Sequence, residues 1–192
     1  MAVLRLRIVP DPVLRAKAKK INRIDASVHR LADSMIDTMH AEGGVGLAAN
    51  QVGVLQRLIV IEIPEEDSEA RVYINPEVVE AEGERRLEEG CLSVPGYRGH
   101  VLRSERVKVK ALDRNGKPVK VKAEGLRAQA LEHEIDHLNG ILYIDHIKAH
   151  EDLWKIEQGE QEATDEDRAH QSLHRQRTRE SHPAQPAEAT VD

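Results

Sequence analysis

Between residues 26 and 42 the apolar positions Val28, Leu31, Met35 and Met39 recur three and four apart. That spacing predicts an amphipathic helix, entered through Asp25 as its N-cap and stopped by Gly43-Gly44. The next apolar runs are short. Residues 58–63 (LIVIEI) and 72–74 predict strands. Residues 101–112 and 117–123 alternate apolar and polar side chains, which predicts a strand pair. "DRNGKP" lies between them, and Asn115-Gly116 carries the signal of a two-residue hairpin turn. From residue 126 to 138 the period returns to that of a helix, with Leu126, Ala130, His133, Glu134 and His137 at three- and four-residue spacing and Gly140 as the stop. A further short helical stretch is expected at residues 153–156. No internal repeat is visible. Strands mixed with a few helices, without regular alternation, argue for an α+β fold: mixed and antiparallel strands around a central helix.

Composition narrows this reading. The chain has 192 residues, enough for one domain with a sizeable core. Phenylalanine is absent, so that core is built from Val, Ile, Leu, Ala and Met. The formal net charge of −6 argues against generic nucleic-acid affinity, and no specific DNA partner is expected. Cys91 is the single cysteine, so no intramolecular disulfide forms, which fits a reducing compartment. The opening residues "MAVLRLRIVPDP" hold no uninterrupted apolar signal region, and the longest apolar run is far too short for a bilayer. A cytoplasmic protein with no membrane contact is therefore expected. Near Gly159 the composition turns polar and ends in "HPAQPAEATVD". The chain divides into residues 1–158, a folded domain, and residues 159–192, a polar tail too poor in apolar residues to bury a core and read as disordered. In that tail Arg168, Arg175, Arg177 and Arg179 would release phosphate counterions on an RNA, giving a weak, transient contact. A merely solvated appendage is the simpler alternative.

The candidate chemistry sits on the predicted central helix. It reads "LEHEIDHLNG", an H-E-x-x-H pattern. On a helix, His133 and His137 lie one turn apart and can share a metal ion, with Glu134 one residue round to act on a water. Histidines on an ordinary solvated helix are the alternative. A catalytic metal site needs a third protein ligand and an open position. Cys91, in "EEGCLSVPG", is the candidate for that ligand, set in a constrained turn rather than mid-strand. A lone cysteine can equally be a small buried apolar residue. The glycine-rich "GGVGLAANQVG" lacks the Gly-Lys-Ser/Thr ending of a phosphate loop and the spacing of a dinucleotide loop. Gln51, at its far end, offers an amide to a developing oxyanion. Asp136 is read as orienting the site or pairing with a basic residue rather than as a ligand.

Taken together, GVGLAANQ at 44–51, EGCLS at 89–93 and EHEIDH at 132–137 resemble the three signature motifs of the peptide deformylases, in the family's order. The resemblance covers roughly residues 6–152. Glu132 departs from it, standing where the family usually has glutamine. It precedes the first ligand and points off the ligand face. The resemblance implies removal of the formyl group from the N-terminal formyl-methionine of nascent polypeptides, with release of formate. It implies a divalent ion held by Cys91, His133 and His137, ferrous iron in many members, with zinc, nickel or cobalt able to substitute. Glu134 would be the general base and acid, while Gln51 and, as the family implies, the Leu92 backbone N–H would hold the oxyanion. Val45 and Leu126 match methionine-pocket positions, and Ala130 is a further candidate. Backbone groups near Val45 and Gly46 would receive the peptide as an added strand, with Arg98 a further contact. Two rivals remain at this stage. One is an H-E-x-x-H peptidase cutting internal bonds, which usually takes its third ligand downstream as His or Glu. The other is a closed, non-catalytic metal site, which needs four protein ligands.

Overall fold

The computed structural model of the protein describes residues 2–64 and 69–156. In chain order it contains α1 (Ala26–Ala41), β1 (Gly46–Ala48), β2 (Leu58–Ile61), β3 (Arg71–Glu82), β4 (Arg85–Cys91), β5 (Val94–Arg103), β6 (Arg106–Leu112), β7 (Pro118–Glu124), α2 (Gly125–Leu138) and β8 (Leu153–Lys155). One sheet has five strands in the order β1-β2-β3-β6-β7; the other has three, β4-β5-β8. Every ladder between these strands is antiparallel. The one parallel pairing among the described residues is an isolated bridge, Lys19 to Gln56. The α+β class holds, with antiparallel sheets.

The two faces of the five-stranded sheet explain the two helices. Strand side chains alternate between faces. Along β2, Leu58 and Val60 join Val28, Ala32, Met35 and Met39 of α1. Ile59 and Ile61 join Ala128, Leu131, Ile135 and Leu138 of α2. β2 is buried on both sides, which is why its sequence is continuously apolar. Met35, Met39 and Leu131 are fully buried, each worth about 1.5–3 kcal/mol relative to exposure. A third cluster, Leu14, Val94, Val101, Leu142 and Tyr143, packs beneath the three-stranded sheet. β4 leads directly into β5, with only Leu92 and Ser93 between them.

Helix α1 matches the sequence reading closely, and the Asp25 carboxylate caps it by accepting from the Ser27 N–H at 2.8 Å. Elsewhere the structure corrects the reading. The expected strand 101–112 is the end of β5 and the whole of β6, which belong to different sheets. The break is at Ser104, whose N–H and hydroxyl donate to the Glu132 carboxylate at 3.0 and 2.9 Å. The expected helix at 153–156 is instead β8, drawn into extended form by pairing with Tyr97, Arg98 and Gly99 of β5. β3 runs well past Ile74, through a register shift at Asn75-Pro76 that resembles a strand end in sequence. The β6–β7 turn is not a two-residue turn. Asp113 Oδ1 accepts from the N–H groups of Asn115 and Lys117, closing a longer loop in which Gly116 takes positive φ and Asn115 does not. Cys91 is the last residue of β4, at the mouth of the β4–β5 turn. The tail expected at 159–192 lies outside the described residues.

Candidate active site

α2 presents His133 and His137 one turn apart, their rings edge to face with centroids 4.9 Å apart. The end of β4 brings Cys91 to them, with Sγ 3.2 Å from His137 Nε2. One donor atom from each of Cys91, His133 and His137 lies within 4.8 Å of the others, so the three could hold one metal ion. His133 Nδ1 is engaged by Glu89 at 2.8 Å, which leaves Nε2 for the cluster. A thiol sulfur, two imidazole nitrogens and a carboxylate orienting one ring are the donor chemistry of a borderline-soft divalent ion. Glu134 is buried beside them, and its Oε2 has no hydrogen-bond partner among the described residues. A buried polar atom left open in this way calls for a ligand or water to satisfy it.

The glycine-rich segment supplies the opposite wall. A Cβ on Gly46 would stand 2.6 Å from Glu134 Oε1, so only glycine lets β1 lie this close to the acid. Gln51 follows in the turn after β1 and is buried. Its Oε1 accepts from the Ala48 N–H at 2.8 Å, which aims Nε2 at Ser93 Oγ (3.2 Å) and Cys91 Sγ (3.7 Å). β1 is an outer strand of its sheet, so one edge is open to a further strand.

These walls enclose a cleft of about 500 Å³ lined by Val45, Gly46, Gln51, Cys91, Leu92, Arg98, Leu126, Ala130, His133 and Glu134. Every residue given a catalytic, metal or substrate role from the sequence lines it except His137, which is buried behind as part of the metal cluster; Asp136 lies off the cleft on another face of α2. Leu126 is 42% exposed at the rim, while Ala130 is buried. Arg98 pairs with Glu88, both partly exposed. A larger cleft of about 640 Å³ lies on another face of α2, along Glu132, Ile135, Asp136 and Asn139, and contains none of the cluster.

The sequence reading had Asp136 pairing with a basic residue, and Arg103 is that residue, but it missed the rest of the charged chain behind the ligands. Glu89 is 4% exposed and Arg103 is 5% exposed. The Arg103 guanidinium grips Glu89 with two bonds, Nε to Oε1 at 2.8 Å and Nη2 to Oε2 at 3.1 Å, and reaches Asp136 with Nη1. Asp136 also meets His146 Nε2 at 2.8 Å. Burial alone would raise the Glu89 carboxyl, but hydrogen bonds from His133 and Arg103 outweigh it and hold it at about 2. Burial lifts Glu134 from 4.5 to about 7, with His133 pulling the other way. The two rings are driven apart. Burial lowers both, yet hydrogen bonds to Cys91 and Glu89 hold His133 well above its ordinary value, while His137, beside His133 and Arg103, falls well below. Glu89 was in view, two residues before Cys91 in a quoted motif. Arg103 gave no signal, since arginine at a strand end usually faces water.

The sequence profile of the polypeptide deformylases matches residues 3–152. The chain belongs to that family. It is 53% identical over 156 residues to the peptide deformylase of Dehalococcoides mccartyi (strain CBDB1), covering 81% of this chain and 93% of that protein. A peptide deformylase from Thermodesulfovibrio yellowstonii is also 53% identical, over 149 residues, covering 77% of this chain and 90% of that protein. Among solved structures, a peptide deformylase from Legionella pneumophila superimposes with a TM-score of 0.76 at 41% identity, covering 95% of this chain and all of that one (100%). The enzyme from Synechococcus elongatus, solved in complex with actinonin, gives 0.75 at 39% identity, covering 79% of this chain and 82% of that one. Like the rest of the family the chain is a hydrolase, and its reaction is the removal of an N-terminal formyl group; the internal-peptidase alternative is not favoured.

Proposed function

We propose that the cleft between β1 and α2 deformylates N-formylmethionyl nascent chains, with Cys91, His133 and His137 as metal ligands and Glu134 as the proton carrier. The observation that supports this most is the buried Oε2 of Glu134, left without a partner beside three clustered donor atoms. A bound divalent ion would supply Lewis acidity toward the formyl carbonyl and would acidify water, to a pKa near ~7 at such sites. Glu134 takes the proton of the attacking water and then delivers it to the leaving amine, so formate and a free N-terminus form. Gln51, its oxygen tied to the Ala48 N–H, holds its amide nitrogen at the Cys91–Ser93 turn, and substrate would draw an N–H from Ser93 or Cys91 to the oxyanion, assisted by the Leu92 backbone N–H. Val45, Leu126 and Ala130 receive the methionine side chain, the open edge of β1 at Gly46 pairs with the peptide, and Arg98 sits where the following residues leave.

Ferrous iron is our assignment for the ion, on the family resemblance, with zinc, nickel or cobalt able to occupy the same donors. We assign catalysis to residues 1–158 with α2 as the central element, and the cytoplasm as the compartment. Any ribosome contact would be weak and would rest on the tail arginines. No helix of the described residues is long and apolar enough to cross a membrane. The test is formate release from a formyl-Met peptide by metal-counted protein, beside an unformylated peptide. Formate without internal cleavage is expected; internal cleavage, or no formate, would overturn the reading.

A further inference from the structure

Outside the metal cluster and the Glu89–Arg103–Asp136–His146 chain, the described residues hold a partly buried histidine–carboxylate pair that the mechanism does not use. His40, in the last turn of α1, meets Glu62 with Nε2 2.7 Å from Oε2. Their side chains are 15% and 12% exposed. An ionised carboxylate only accepts, so His40 Nε2 carries the hydrogen of this bond. Glu62 directly follows β2, and its backbone N–H donates to the Val45 carbonyl at 2.9 Å. The stretch from Glu42 to Gly46 lies between these two anchors, and all five of its residues line the cleft.

The path of this stretch is set at both ends. At the helix end, the Gly43 N–H donates to the His40 carbonyl at 3.2 Å and the Gly44 N–H to the Met39 carbonyl at 2.9 Å. At the strand end, Val45 is held by the backbone of Glu62. The side-chain bond from His40 to Glu62 ties one end to the other. Between them stand two glycines, Gly43 at φ +64 and Gly44, and such backbone is easily displaced without a tie. We infer that His40 and Glu62 are positioning residues: a clasp that fixes the glycine-rich wall receiving the substrate peptide. Neither touches the reacting atoms. The clasp acts on the backbone at Val45 and Gly46, while the donors and the acid sit on β4 and α2. The inference rests on the proposal above that this wall binds the peptide.

The separation of wall and chemistry sets the test. Losing an interaction made equally with substrate and transition state raises KM and leaves kcat alone. His40→Ala should raise KM for a formyl-Met-Ala-Ser peptide about three- to thirtyfold with kcat within twofold of the parent. His40→Gln keeps an N–H donor of similar reach and should recover most of the loss. Glu62→Ala should raise KM at least as much as His40→Ala, and the double variant should be no worse than Glu62→Ala alone, because both break the same tie. Parental KM in His40→Ala with only a lowered Tm would make the pair structural and overturn the inference. So would a fall in kcat at constant KM, or additive losses in the double variant. A parent chain that releases no formate would instead remove the reading beneath it, and the inference with it.

Discussion

Replacing Glu89 with glutamine keeps its shape and removes its charge from a pocket where it is 4% exposed. In the parent, the Arg103 fork and His133 hold this carboxyl at about 2 instead of 4.5. At about 1.4 kcal/mol for each tenfold in proton affinity, that drop corresponds to about 3 kcal/mol. Removing one partner of a buried ion pair independently suggests about 3–5 kcal/mol. The direction with pH follows from the depressed value. The contribution is fully present above pH 4.5 and is lost as pH falls toward 2, because the unfolded chain takes up the proton first. Urea unfolding of the metal-free chain should therefore show Glu89→Gln less stable by about 3 kcal/mol at pH 7, a fall in Tm of about 6–12 °C for a domain of this size. The gap should close steadily below pH 4.5, because the parent then loses what the variant never had. Glu89 also orients His133, so metal competition should show affinity weakened about 10- to 100-fold. A variant within about 1 kcal/mol of the parent at pH 7, or a gap independent of pH, would refute the claim that this ion pair stabilises the fold.

Glu134→Ala should keep its metal and its fold but lose about 100- to 10,000-fold in formate release, and a loss under tenfold would deny it the proton-carrying role. Cys91→Ala should lose tight metal binding, since two imidazoles alone hold a divalent ion weakly; stoichiometric metal in that variant on dialysis would exclude the thiolate as a ligand. Gly46→Ala places a methyl 2.6 Å from Glu134 Oε1 and should cut kcat and kcat/KM together, and unchanged kinetics would contradict the tight approach of β1 to the acid. Iron-loaded protein should lose formate release over hours in air while nickel-loaded protein keeps it; equal decay with metal retained in both would remove the support for iron. Glu132→Gln leaves one acceptor where Ser104 now uses two, so it should cost about 1 kcal/mol in urea unfolding with formate release unchanged.

The sequence by itself determined what depends on neighbours along the chain. Helix α1 was legible because its cap, its apolar stripe and its stop all lie within one run of residues, and helical hydrogen bonds reach only four positions back. Helix α2, which has no side-chain cap, was legible from its three- and four-residue spacing and the Gly140 stop, and its H-E-x-x-H spacing follows directly from the helical repeat. The three motifs, read in order, were enough to point to the family that the profile then matched. Tertiary structure decided the rest. Residues 101–112 look like one strand because alternation says nothing about which sheet a strand joins. The split at Ser104 is made by Glu132, far along the chain on α2. Residues 153–155 became β8 only because β5 offers them an edge. Arg103, an ordinary arginine in sequence, gains its place by meeting Glu89 on the neighbouring strand and Asp136 on α2 in the same buried volume. Strand pairing and buried charge pairing both depend on partners that only the folded chain brings together, and neither leaves a periodic trace in the residues that take part.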